Sequence, residues 1–176
     1  MFATPSVAAA EAAEPELSPP ECVLQLRDLV AKIARARTRL TKEQEYVARR
    51  KSSYITCLRE YEQQLALYAM CRSRCASAGD AAGVAQYEAE VRKTKELMKD
   101  EQSNLTFMLK NHWQPDVDKC SDELAQLQRT HRLLSEYVRE QHGAEWLAKV
   151  DCKSLSNDKL RKQAREWRSA EAPPSK

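Results

Sequence analysis

Glycine is almost missing from this chain, with three in 176 residues, at positions 79, 83 and 143. No Gly-rich phosphate loop, nucleophile elbow or HExxH motif is present, which excludes the commonest nucleotide-binding, hydrolase and metalloprotease signatures. Histidine is equally sparse. His131 falls on a heptad a position and reads as a packing residue, while His112 and His142 fall near helix ends, where a ring nitrogen can meet unpaired carbonyls. No pair of carboxylates sits on an apolar face, as acid–base catalysis needs. The expectation is a protein that is not an enzyme, with no catalytic residue and no cofactor.

No apolar run approaches the roughly 18 residues of a membrane span, so none is expected. The first residues, MFATPSVAAAEAAEPELSPPE, lack a basic n-region and an apolar core and have no Arg. They carry Glu11, Glu14, Glu16 and Glu21, which argues against a secretory signal or a transit peptide and leaves cytoplasm or nucleus. Six cysteines show no paired spacing of a disulfide framework. Cys71 and Cys75 lie one helical turn apart; a metal there would need outside ligands, so packing is the favoured role and no metal is expected.

What the chain has is charge and periodicity. Charged residues make up 31% and mean hydropathy is −0.70, the profile of a coiled-coil-like helical protein. With Val23 as heptad a, the d positions are Leu26, Ile33, Leu40, Val47, Tyr54, Tyr61, Tyr68 and Cys75, all apolar or aromatic. An unbroken seven-residue repeat marks a seam against another helix. No Pro or Gly interrupts residues 21–77, so the spacing predicts one helix, roughly 85 Å long at about 1.5 Å per residue. Its seam must be covered.

Four of seven prolines fall in residues 1–20, amid Ala and Glu, which reads as a disordered tail. Ser18 or the Pro19–Pro20 pair then opens the helix, with Glu21 in its first turn. Gly79 and Gly83, with Asp80 as an N-cap, place a turn at 78–83. Helices follow at 81–113, with Val84, Val91, Met98 and Leu105 every seven residues, and at 116–142, separated by Pro115. Past Pro115 the apolar pattern (Val117, Cys120, Leu124, Leu127, Leu134, Val138) resumes in a shifted frame.

The fold expected is all-α: a long antiparallel, coiled-coil-like hairpin over 21–143, its return arm broken at Pro115, then short C-terminal helices within 144–169 and a disordered end at 170–176. The two arms match in length, so a hairpin covers the seam from end to end. Its register brings Arg37 near Glu123 and Arg72 near Glu88. The competing arrangement, a parallel homodimer through the first helix, would set the polar a positions Arg37, Gln44, Lys51 and Arg72 against their own copies, an unfavourable pairing of like charges. Position e is small for much of the helix (Ala34, Thr41, Ala48, Ala69, Ala76), which invites a further helix, from the C-terminal segment or a partner.

Charge singles out two surfaces. Lys32, Arg35, Arg39, Lys42 and Arg49 occupy c and f positions and form a stripe roughly 25 Å long. Residues 32–51 hold eight basic residues against Glu43 and Glu45. Arg161 and Arg165 belong to a second basic patch, beside Trp167. Either surface suits an acidic partner such as tubulin, anionic lipid or nucleic acid, the last less favoured because only Tyr46 interleaves the stripe. The plain alternative is a solvated face. Trp146 and Trp167 are candidate partner contacts, since Trp is enriched where interfaces concentrate their energy; Trp113, beside Pro115, reads as a plug in a kink.

The order of long helix, glycine turn and return helix interrupted at Pro-Asp resembles tubulin-binding cofactor A, with longer arms and no shared extended motif, so no residue role is carried over. Two functions remain. The first is a structural coiled-coil subunit or scaffold, possible settings being cytoskeletal or microtubule-associated, that works through helix–helix contacts with other coiled-coil proteins. The second is a soluble adaptor or small chaperone that binds an acidic partner through the stripe.

Overall fold

A computed structural model describes residues 17–171. The disordered tails expected at the termini fall outside the described residues for positions 1–16 and 172–176. Among the described residues the fold is all-α, with no strand. Helix α1 spans Pro19–Ser77, α2 Ala81–Met108, α3 Gln114–Gln141, α4 Ala144–Ala148 and α5 Asn157–Glu171, with a π-helical turn at Leu109–Trp113 between α2 and α3. The described residues divide into two compact units, one of residues 17–32 with 128–171, the other of Ile33–Leu127. They are called here the terminal and the middle unit.

In the terminal unit α1 begins two residues earlier than the periodicity predicts. Pro19 and Pro20 take its first two positions, where an N–H has no intrahelical partner to lose. Glu21 reaches back to accept from the Ser18 N–H (3.0 Å) and hydroxyl (2.8 Å), one arm of a capping box. Residues 17–20 are therefore not part of a loose tail: Ser18, Pro19 and Pro20 are buried, and Leu17 packs against the core. That core sets Cys22 and Leu26 against Val138, with Leu134, Tyr137, Trp146, Leu147 and Val150 around them. Leu160 and Ala164 of α5 are also buried.

The loop from α4 to α5 is a run of turns, with the Val150, Cys152 and Leu155 N–H groups each bonded three residues back, and the Arg27 guanidinium gathers its carbonyls. Ser156 caps α5, accepting from the Lys159 N–H at 3.3 Å. Arg168 then ties that helix back to Glu21 at 2.6 Å. The helix runs on through Glu171, beyond the predicted end at 169.

The middle unit pairs α1 antiparallel with α2 and the start of α3. Arg72 meets Glu88 at 3.7 Å, as the register predicts. Glu123 meets Arg39 at 3.2 Å instead of Arg37. The reason is a rotation of the seam. The a positions Arg37, Gln44 and Lys51 are exposed, while Ala36 at position g is buried, and Cys57 and Cys71, also at g, are half-buried. Where a positions are polar the contact stripe moves to d and g, so position c becomes the flank that meets the return arm.

The turn is tighter than 78–83. Gly79 has φ +73°, a left-handed conformation that a side chain would strain. The Asp80 N–H bonds Cys75 O at 2.9 Å and the Gly79 N–H bonds Ala76 O at 3.2 Å, the paired bonds of a Schellman cap. Asp80 then caps α2 through the Gly83 N–H at 2.9 Å, so Gly83 belongs to the first turn of α2 and not to the loop.

Pro115 does not open a gap in the return arm. The departure from α geometry lies ahead of it, where the Gln114 N–H reaches back five residues to Leu109 O. A π turn inserts one residue, and that insertion is the frame shift visible in the apolar pattern. It also widens the backbone just where the proline ring would crowd the preceding turn. The inserted step brings Trp113 onto the seam, buried and edge-on to Tyr54 with ring centroids 5.9 Å apart. Trp113 is a packing residue of the helix pair, not a plug beside a break, and His112 sits inside the π turn, not at a helix end.

Candidate partner-binding surfaces

The candidate residues fall in both units. Arg35, Arg39, Lys42 and Arg49 belong to the middle unit; Lys32, Trp146, Arg161, Arg165 and Trp167 belong to the terminal unit.

In the middle unit α1 presents Arg35, Lys42 and Arg49 at seven-residue spacing, so they share one helix face, and all three are exposed. None takes part in an ion pair among the described residues. Arg39 is engaged with Glu123. A shallow groove along this part of the helix is lined by Ala34, Arg35, Thr38, Arg39, Lys42 and Glu43. The small e positions Ala34, Thr41, Ala48, Ala69 and Ala76 are exposed as well. The C-terminal segment docks on that flank of the helix at Arg27, the first e position, in the terminal unit.

In the terminal unit Lys32 is paired with Asp28 at 2.7 Å, one turn back. Trp146 is half-buried on the core, with the Lys149 ammonium 3.2 Å from its ring centroid. It packs within its own unit. Arg161 pairs locally with Asp158 at 3.1 Å, and Arg165 donates from Nε to the Arg161 carbonyl at 3.3 Å. Leu160 and Ala164 turn inward, while Trp167, one turn on, keeps 41% of its surface exposed. His142 meets a carbonyl, as a histidine near a helix end can, but that of Leu17: its Nε2 lies 3.1 Å from Leu17 O and so carries the proton.

The site residues that sequence reasoning passes over are Arg27 and Glu21. Arg27 is the one cation among the e positions, ahead of small Ala34, Thr41 and Ala48, and that exception was the available signal. Burial opposes ionisation of Glu21, but the Ser18 hydroxyl and N–H and the Arg168 guanidinium outweigh it and hold the carboxyl below its ordinary range. Burial pushes the Cys22 thiol up. Hydrogen bonds from Ser154 pull the Cys152 thiol down.

Among the described residues, no three or more His, Cys, Asp or Glu side chains gather as a metal ion requires, and no helix is long and apolar enough to cross a membrane. Comparison with protein-family models, with curated proteins and with solved structures finds no match to this chain. The resemblance to tubulin-binding cofactor A rests on layout alone.

Proposed function

We propose that the protein is a non-catalytic helical subunit that joins a larger assembly through helix–helix contacts along its middle unit. The observation that carries this reading is a helix pair with more apolar surface than two helices cover. Its buried residues are Ala36, Thr94, Trp113 and Cys120, while Leu67 and Phe107 remain 50% and 56% exposed, with Ile55, Met70 and Leu97 also open. Each apolar side chain of that size covered by a partner contributes on the order of 1–2 kcal/mol. A cytoskeletal or microtubule-associated assembly, in cytoplasm or nucleus, is a setting in which such a strut would serve.

A photo-crosslinking amino acid placed at Leu67 or Phe107 in the cells of origin tests the reading. It should yield a discrete adduct with a helical protein or with a second copy of the chain, and the same reagent at exposed Lys93 should not. A folded chain that gives no adduct at Ile55, Leu67, Met70 or Phe107 would overturn it.

A second reading, an adaptor that binds an acidic surface such as tubulin, is favoured by Arg35, Lys42 and Arg49 standing on one face with no ion pair among the described residues. Each carries its charge into solvent, where an acidic partner would replace diffuse counterions.

A further inference from the structure

We infer that the face of α1 between Ala34 and Lys51 is a docking surface for an acidic amphipathic helix of another protein, one that carries carboxylates at heptad spacing. The inference rests on the proposal that the chain joins partners by helix–helix contacts, and it names the partner's chemistry on one face.

The face differs from the stripe of c and f positions that the sequence suggests. Arg39, at position c, is spent on Glu123. The cations left are Arg35, Lys42 and Arg49 at f and Arg37 and Lys51 at a, where the rotated seam leaves them exposed. None of these five takes part in an ion pair among the described residues, and Glu45 is the one carboxylate on the surface between them. Two rows of cations thus run along the helix for about 24 Å at about 1.5 Å per residue.

Between the rows lie Ala34, Thr38, Thr41 and Ala48, all small and exposed. The Thr38 hydroxyl donates back to the Ala34 carbonyl at 3.0 Å, so its donor is spent within its own helix. A floor of this kind lets a second helix approach to about 8–10 Å between axes, with the flanking cations reaching around it to carboxylates on either side.

A helix fits these observations better than nucleic acid does. Single-strand binding uses aromatic platforms, and the one aromatic nearby, Tyr46, has its ring covered by Arg50 at 5.5 Å from the centroid. A duplex would track phosphates without need of a small-residue floor. Charge that repeats every seven residues matches charge that repeats every seven residues.

The test uses the full chain and a labelled synthetic helical peptide of about three heptads, Ala/Leu-rich with Glu at two flanking positions in each heptad, read by fluorescence anisotropy at physiological salt. A scrambled peptide of the same composition and a duplex DNA of about 20 base pairs are the competitors. The patterned peptide should bind at least about tenfold more tightly than the scrambled one. The R35E/K42E/R49E variant, with helix content unchanged by circular dichroism, should lose that advantage. Equal binding of the scrambled peptide, tighter binding of the DNA, or an undiminished triple variant would each overturn the inference. Crosslinks at Leu67 and Phe107 obtained together with equal binding of the patterned and scrambled peptides would show that the scaffold reading stands while this assignment falls.

Discussion

The Nε–H of Arg27 donates to the Val150 carbonyl at 2.9 Å, joining the third turn of α1 to the loop after α4. The rest of the guanidinium is as fully engaged. One terminal nitrogen donates to Leu155 O at 2.7 Å and Asn157 Oδ1 at 2.8 Å, the other to Lys149 O and Cys152 O, both at 2.8 Å. Arginine has five N–H donors in a fixed fork, and here each has an acceptor. One side chain adds to the turn bonds of a loop in which the Lys149 and Cys152 carbonyls also accept from the Cys152 and Leu155 N–H groups, and that loop leads into α5.

Arg27→Lys should therefore fail to conserve stability. An ammonium is a compact point charge and cannot span acceptors spread over residues 149–157. The loop is partly exposed, so water takes up some of the freed carbonyls, and the loss expected is about 2 kcal/mol. Urea denaturation of Arg27→Lys and Arg27→Ala checks this; variants within a few tenths of a kcal/mol of the parent would show that the loop holds itself.

Glu21 gives the terminal unit an acid-sensitive tie. Its folded pKa lies below the ordinary value of 4.5, so its stabilisation is fully present above that value and is lost as pH falls through the lowered folded pKa. Stability should decline on acidification below about pH 4.5 through this group, and Glu21→Gln should flatten that part of the profile. Chemical denaturation as a function of pH measures both. A profile that Glu21→Gln leaves unchanged would mean that Arg168 and Ser18 do not sense its charge.

The π turn makes the return arm sensitive to chain length more than to Pro115. Insertion of one further residue after exposed Lys110 adds to the one that the π turn already absorbs and rotates the helix that follows by about 100°, turning Cys120 and Leu124 off the seam. A loss of at least about 3 kcal/mol is expected. Pro115→Ala, which leaves the frame intact, should cost less than about 1 kcal/mol. Thermal unfolding of the two variants decides; the opposite order would make the proline, not the frame, the determinant.

The heptad row of d positions carries the fold class, the hairpin and the Arg72–Glu88 contact, because apolar periodicity is a local property of the sequence. Three features escape that logic. Which of the flanking positions a and g joins the seam depends on the partner helix, so the burial of Ala36 and the exposure of Lys51 emerge only in the folded pair. The frame shift after Pro115 is visible in the spacing of Val117, Cys120 and Leu124, but a break and a π turn produce the same shift. Pro19 and Pro20 resemble the prolines of the preceding tail in composition, and what distinguishes them is a helix start beside a core completed by Val138, more than a hundred residues away. Of the candidate binding residues, the f row Arg35, Lys42 and Arg49 was legible from spacing alone, whereas the engagement of Arg39 by Glu123 was not.

The central claim is that the terminal unit completes its own core while the middle unit does not. Native-state amide hydrogen exchange, on purified chain verified as monomeric by light scattering, measures this residue by residue. The account predicts the slowest exchange around residues 22–27, 134–138 and 160–164, with the α1 and α2 amides of the middle unit exchanging through local openings at far lower free energy. Protection across residues 47–75 and 84–108 equal to that of the terminal unit would contradict it, since a middle unit that stable alone has no need of a partner to cover its open side.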